Sequence, residues 1–330
     1  MAPRGRGGGR AGPRGRRVVP RRAVPVSPRR RREPEFISYY GRPILNEPVW
    51  AATDIAGYFF LGGMAGASSL LAAGAELTDR PALARASKVG ALGAISLSLV
   101  ALVHDLGRPA RFLNMLRVFK PTSPMSVGVW VLGAYAPAAG IAAASDLTGI
   151  ARPAGRAAAA GAAALGPVVA SYTSVLMCNT AIPAWHEGYR EMPFVFVASA
   201  ASAAAGLALV AVPCDQAGPA RTLAVAGAVG ELAASHRLTS RLGLVADTYD
   251  TGRAGTLIKA AKVMTAAGAV LGATAGRRTR PASMVAGAAL LAASACTRFG
   301  IFAAGVASAR DPKYVVAPQR ERRASATPAA

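Results

Sequence analysis

Apolar residues in this 330-residue chain gather into long unbroken stretches and almost nowhere alternate with polar ones. Eight stretches, near 50–74, 82–104, 126–145, 157–180, 193–213, 219–236, 256–276 and 281–309, are each roughly 20 residues, enough to cross a ~30 Å hydrocarbon core as a helix. Ala, Gly and Leu dominate them and period-two alternation is missing, so strands do not account for them. Inside lipid the backbone must satisfy its own hydrogen bonds, which leaves the helix. The predicted fold is all-α: a polytopic membrane protein built as a bundle of about eight transmembrane helices.

The connection between the second and third stretches has a pattern of its own. Phe112, Met115, Leu116 and Phe119 stand at i, i+3, i+4 and i+7, with Arg108, Arg111, Arg117 and Lys120 among them. This predicts a short helix lying in the membrane interface, ended by Pro121 and Pro124, with Ser126 capping the next span. A simple surface loop is the alternative. Small residues crowd the spans, as in Gly62-Gly63-Met64-Ala65-Gly66. Either they let helices approach closely, or they only reflect an Ala-rich chain.

Composition sharpens this picture. With 52% hydrophobic and 16% charged residues, and a mean hydropathy of +0.33, the chain is not a soluble globule. Much of the net charge of +22 sits in residues 1–48, an Arg-, Pro- and Gly-rich segment read as a disordered tail. Weak anchoring to anionic lipid is an alternative use for it. It lacks the apolar core of a signal peptide, and a basic tail without a folded basic face argues against nucleic acid as a partner. Residues 49–309 form the predicted transmembrane domain and 310–330 a C-terminal tail. Threading the spans back and forth puts 28 of the 38 basic residues on the side of the N-terminus and nine on the other. By the positive-inside rule this predicts cytoplasmic termini in a multi-pass protein of the cell (inner) membrane. Cys178, Cys214 and Cys296 are isolated and form no CxxC pair, so neither an iron–sulfur cluster nor a structural metal is expected in this chain.

The same threading brings Asp54, His104, Asp105, Glu231, His236, Lys259, Lys262 and Arg298 toward the half of the bundle where the N-terminus lies. Charge in hydrocarbon is costly, so an intramembrane ionisable residue is a functional hypothesis by default. Depths counted at ~1.5 Å per residue predict that Arg298 pairs with Asp54 or Glu231. Two readings stand for this layer. Its charges hold helices together through buried ion pairs, which need not stabilise. Alternatively, with Tyr58 and Tyr172, they bind and protonate a quinone head group. That chemistry needs hydrogen-bond donors for two carbonyls and an acid–base group that moves protons with the electrons. Asp105 and Asp54 are the proton-exchange candidates, with His104 as donor or relay. Bis-histidine haem is not expected, because His104 and His236 end their spans near the surface and no second pair exists.

Two blocks carry a resemblance. One is Pro48-Val49-Trp50 followed by Tyr58-Phe59-Phe60-Leu61-Gly62-Gly63-Met64-Ala65-Gly66. The other is His104-Asp105-Leu106-Gly107-Arg108-Pro109-Ala110-Arg111-Phe112, with Ser123-Pro124-Met125-Ser126 and Trp130 after it. Over roughly residues 43–310 the chain resembles the NrfD/PsrC-type (polysulfide reductase NrfD) membrane subunits, the quinone-reacting anchors of molybdopterin oxidoreductases. The resemblance implies an eight-helix subunit without haem. It would exchange electrons with an iron–sulfur subunit, itself attached to a molybdopterin catalytic subunit. It also implies a menaquinone or ubiquinone site near the partner-facing surface. Trp50, Asp54 and Tyr58 match the contribution of the first span, Asp105 precedes the Gly-Arg-Pro turn with Arg108, and Tyr172 and Asn179 come from the fourth span. Glu231 and Arg298 complete the candidate binding set. The first span carries Asp54 and no evident histidine.

Three uses compete: a quinone-reacting subunit, a secondary transporter, and a passive anchor for an enzyme. Transporters show internal repeats and broken helices at mid-bilayer, and neither off-centre charges nor a repeat between halves supports that here. Saturable quinone binding separates the first use from the other two.

Overall fold

The computed structural model describes residues 44–108 and 110–326. The readings made of the N-terminal segment as far as residue 43 lie outside the described residues. Eight helices of 20 residues or more dominate, and no strand occurs among the described residues. In chain order the helices are α1 Ala52–Leu77, α2 Pro81–Asp105, α3 Ala110–Met115, α4 Pro124–Thr148, α5 Arg152–Cys178 and α6 Pro183–His186. They continue with α7 Met192–Ala211, α8 Gly218–Arg241, α9 Asp247–Asp250, α10 Gly252–Ala273, α11 Arg280–Arg310 and α12 Lys313–Ala326.

Seven helices are long and apolar enough to cross a membrane: α1, α2, α4, α5, α7, α10 and α11. The eighth stretch of the sequence reading, α8, is diluted by Arg221, Glu231, His236, Arg237 and Arg241. Its 24 residues nevertheless carry the chain back across the bundle between α7 and α10. At its start the Arg221 guanidinium donates to the Cys214 carbonyl, and at its end Arg241 meets Glu191.

Successive long helices therefore alternate in direction, and the bundle has two faces. The proximal face, where α1 begins, collects the long connections, which hold α3, α6 and α9. The distal face has short ones. Proline opens most helices, standing at the first or second position of α2, α4, α5, α7, α8 and α11. A missing N–H costs nothing there. Ser123, rather than Ser126, caps α4, accepting from the Ser126 N–H at 3.4 Å. Because Pro124 fits the first helical position, the cap falls one residue before it. Distal arginines tie up carbonyls that have no helical partner. Arg80 donates to Asp215, and Arg280 to Leu209, Val210 and Val212. Lys88, buried, bridges Glu76 at 2.5 Å and Asp146 at 3.0 Å.

The small residues serve packing. Helix α1 touches α2, α5, α7 and α11, so it is the centre of the bundle. It crosses α5 with Gly66 against Gly166, where a Cβ on either would strike the other's carbonyl. Helices α7 and α11 meet the same way at Gly206 and Gly287. Backbones approach this closely only where no side chain intervenes.

The interfacial helix is shorter than its pattern. It stops at Met115, so Phe119 leaves its face and lies instead edge-on to Trp130, with ring centres 6.1 Å apart. The segment set apart as a C-terminal tail begins with α12, whose Tyr314 is buried in the core.

Candidate functional site

The candidate residues fall into two groups, and the structure separates them by depth. At the proximal rim, Asp54 lies in the first turn of α1 and His104 in the last turn of α2. Their side chains meet, with Asp54 Oδ2 at 2.8 Å from His104 Nδ1. The Asp54 side chain is 19% exposed and that of His104 77%, so the pair is anchored on its acid and open on its base. Asp105 accepts the Ala51 N–H at 3.1 Å through Oδ1. That bond joins the start of α1 to the end of α2. Trp50, half-buried, stacks on Trp185 with ring centres 5.9 Å apart and planes 17° from parallel. Trp185 is fully buried, donates Nε1–H to the Ile301 carbonyl at 2.9 Å and lies 5.5 Å from the Phe302 ring. A cavity of about 510 Å³ opens beside this aromatic cluster, lined by Ala52, Phe299, Phe302, Arg253 and Arg310.

Glu231 and Arg298 belong to the middle of the bundle and not to the rim. Helix α8 runs on to Arg241 beyond its apolar stretch, which puts Glu231 about 15 Å from its proximal end. Arg298 lies about 18 Å from the proximal end of α11. The expected ion pairs of Arg298 are not formed. Glu231 Oε1 accepts from the Thr297 hydroxyl at 2.6 Å, and Asp54 is held by His104. Arg298 donates to the Phe196 carbonyl at 2.7 Å and stacks its guanidinium 3.9 Å over the Phe196 ring. Glu231 Oε2 and two guanidinium nitrogens of Arg298 are buried without a partner. Glu231, Thr265 and Thr297 line a crevice of about 20 Å³, which holds about one water. One layer beneath a single leaflet is thus replaced by two levels, because α8 runs on past its apolar stretch to Arg241 and α11 stays helical for 12 residues beyond Arg298.

The remaining candidates scatter. Tyr58 and Tyr172 are buried in one apolar core, Tyr172 with its ring against Gly128 and its hydroxyl unpartnered. Asn179 ends α5 and is exposed, as is Arg108 in the turn after α2. His236 and Lys259 are exposed, whereas Lys262, half-buried, lines the crevice beside Glu231.

Comparison with known proteins adds a decisive fact. A family model described as polysulphide reductase, NrfD matches residues 43–217. The chain belongs to the polysulphide reductase NrfD family. No curated protein matched it. As an NrfD-family protein it is a multi-pass membrane protein and the membrane subunit of a polysulphide reductase-like complex. The matched region ends between α7 and α8, so it takes in Trp50, Asp54, His104, Asp105 and Trp185 and leaves out Phe302, Glu231 and Arg298. Within that NrfD region the sequence places Trp185 on the proximal side with His186 and Glu187 but does not mark it as a site residue, although it closes the aromatic cluster under α1. Its signal was weak: a tryptophan in a loop, beside Pro183. Sequence reading missed the Thr297 hydroxyl, hidden in an apolar run.

Proposed function

We propose that the proximal rim is where a membrane-borne quinone exchanges electrons and protons with this subunit's complex. Electrons pass to or from an iron–sulfur subunit attached to a molybdopterin catalytic subunit. The observation that carries the reading is the Asp54–His104 hydrogen bond. An imidazole that donates Nδ1–H to a carboxylate keeps Nε2 as its basic nitrogen. His104 Nε2 then takes a proton from water and delivers it to a ring oxygen, while Asp54 stands next to the charge that forms. A bound quinone supplies the two-electron, two-proton carrier, and a donor–acceptor pair beside an aromatic face fits its head group. Trp50, four residues before Asp54, offers that face. Asp105 acts as a positioning residue, since its bond to Ala51 holds α1 against α2.

NrfD membership supports a redox complex as the setting, and the long proximal connections support that face as the docking surface. The asymmetry of basic residues supports a cytoplasmic proximal face. In the purified complex, Asp54→Asn and His104→Gln should each lower quinone-linked turnover about 100-fold or more, the scale of general acid–base catalysis, with subunit composition unchanged. If both variants turn over at the wild-type rate in an intact complex, the subunit is a passive anchor and the proposal fails.

A further inference from the structure

The outer side of the α7–α8 pair carries a groove of about 770 Å³. Its floor is made of small residues because the two helices touch there. A Cβ on Gly230 would lie 3.2 Å from that of Ala198, and one on Gly227 would meet the Ala198 carbonyl at 2.9 Å. Phe194 and Val197, both exposed to the surroundings of the bundle, form one wall. The lining is apolar until the proximal end, where Arg190, Arg237 and Arg241 enter it with a single carboxylate, Glu191.

Those four groups are not equivalent. Arg241 is committed to Glu191 through hydrogen bonds of 2.8 and 2.6 Å, and it also donates to the Glu187 carbonyl. Arg190 is steadied by its neighbour, donating Nε–H to the Tyr189 hydroxyl at 2.9 Å, with its guanidinium 5.5 Å from that ring. Arg237 is exposed one turn before Arg241. From Leu223 to Arg237 the groove follows α8 for about 21 Å, more than the ~15 Å of hydrocarbon belonging to one leaflet.

We propose that this groove is a binding site for an anionic phospholipid of the proximal leaflet. Its phosphate lies between Arg190 and Arg237, and an acyl chain lies along the Ala198–Gly230 floor. Charge complementarity selects the occupant. A neutral quinone ring has no use for two guanidiniums, and a partner's transmembrane helix needs no anion at that height. A charged head above an acyl chain uses both halves of the groove. Basic pockets between transmembrane helices are built for such heads. The inference stands apart from the quinone reading and survives its failure.

The test uses the full chain purified from its membrane, given equal amounts of phosphatidylglycerol and phosphatidylcholine, with retained lipid weighed by native mass spectrometry. The wild type should keep phosphatidylglycerol in preference. Arg190→Gln with Arg237→Gln should weaken that preference on the order of thirtyfold, as two interfacial charges predict. Arg278→Gln, on the distal face, should leave it unchanged. Ala233→Leu, a change on the exposed lining that spares the helix contact, should reduce retention of both lipids. Equal retention of the two lipids by the wild type overturns the proposal, as does undiminished preference in the double variant. A quinone or a polypeptide found in the groove's place overturns it as well.

Discussion

Asp54 shows how much a single side chain's meaning depends on its partner. Alone in the first turn of an apolar helix, it reads as a costly charge. Beside His104 it becomes half of a hydrogen-bonded pair whose other half faces outward. Glu231 is the converse: Thr297 satisfies one of its oxygens and leaves the other without a protein partner. The loop carboxylate Glu191 yields a pH dependence. Hydrogen bonds from Arg241 hold its carboxyl below the ordinary value of 4.5. Its contribution to stability is therefore complete above that value, and it is lost as pH falls through the lower value of the folded state. Thermal unfolding in detergent should show a loss of stability on the acid side of pH 4.5 that Arg241→Gln largely removes. An acid limb unchanged in that variant would assign the dependence to other groups.

Among the elements, α1 is decisive, because five long helices, α8 the most lightly, pack on it and its contacts depend on missing side chains. Gly66 and Gly166 bring α1 and α5 together carbonyl to backbone. Gly66→Ala should push them apart and destabilise the bundle by about 1–3 kcal/mol, the usual cost of overpacking. Gly57, on the same helix, has open space where its Cβ would go. Gly57→Ala should be neutral or stabilise by up to about 1 kcal/mol, through helix propensity alone. Equal melting temperatures for the two variants would show that the glycines are composition and not packing. The same physics accounts for α3. Its apolar spacing continues to Phe119, but Trp130 draws that ring into an edge-on contact and the helix ends four residues earlier.

The whole molecule is a bundle with unequal faces. Short distal connections are sealed by arginines and a buried lysine, whereas the proximal face holds the loops, the rim pair and the mouth of the α7–α8 groove. Both ends of the described chain lie on that proximal side, since eight crossings return it there. A fluorescent protein fused at the C-terminus should therefore fluoresce if the proximal face is cytoplasmic, while a phosphatase active only outside the cytoplasm should stay inactive. The opposite result would move the redox partner to the outer side without changing the rim.

Fold class, span number and family resemblance were legible in the chain because hydropathy over roughly 20 residues is a local property, and lipid allows it one backbone solution. The composition of the rim was legible too, since Trp50, Asp54, His104 and Asp105 stand at span ends that alternation carries to one face. Partner choice was not. Which acid meets which base depends on helix rotation and length, and neither is written in an apolar run with little periodicity. Helix α8 outruns its apolar stretch and α11 stays helical to Arg310, so Glu231 and Arg298 sink to mid-bundle and take Thr297 and Phe196 in place of each other. Trp185 reaches the core only because a loop folds back under α1. Such contacts exist once the backbones are packed at their glycines, and only the tertiary structure could decide them.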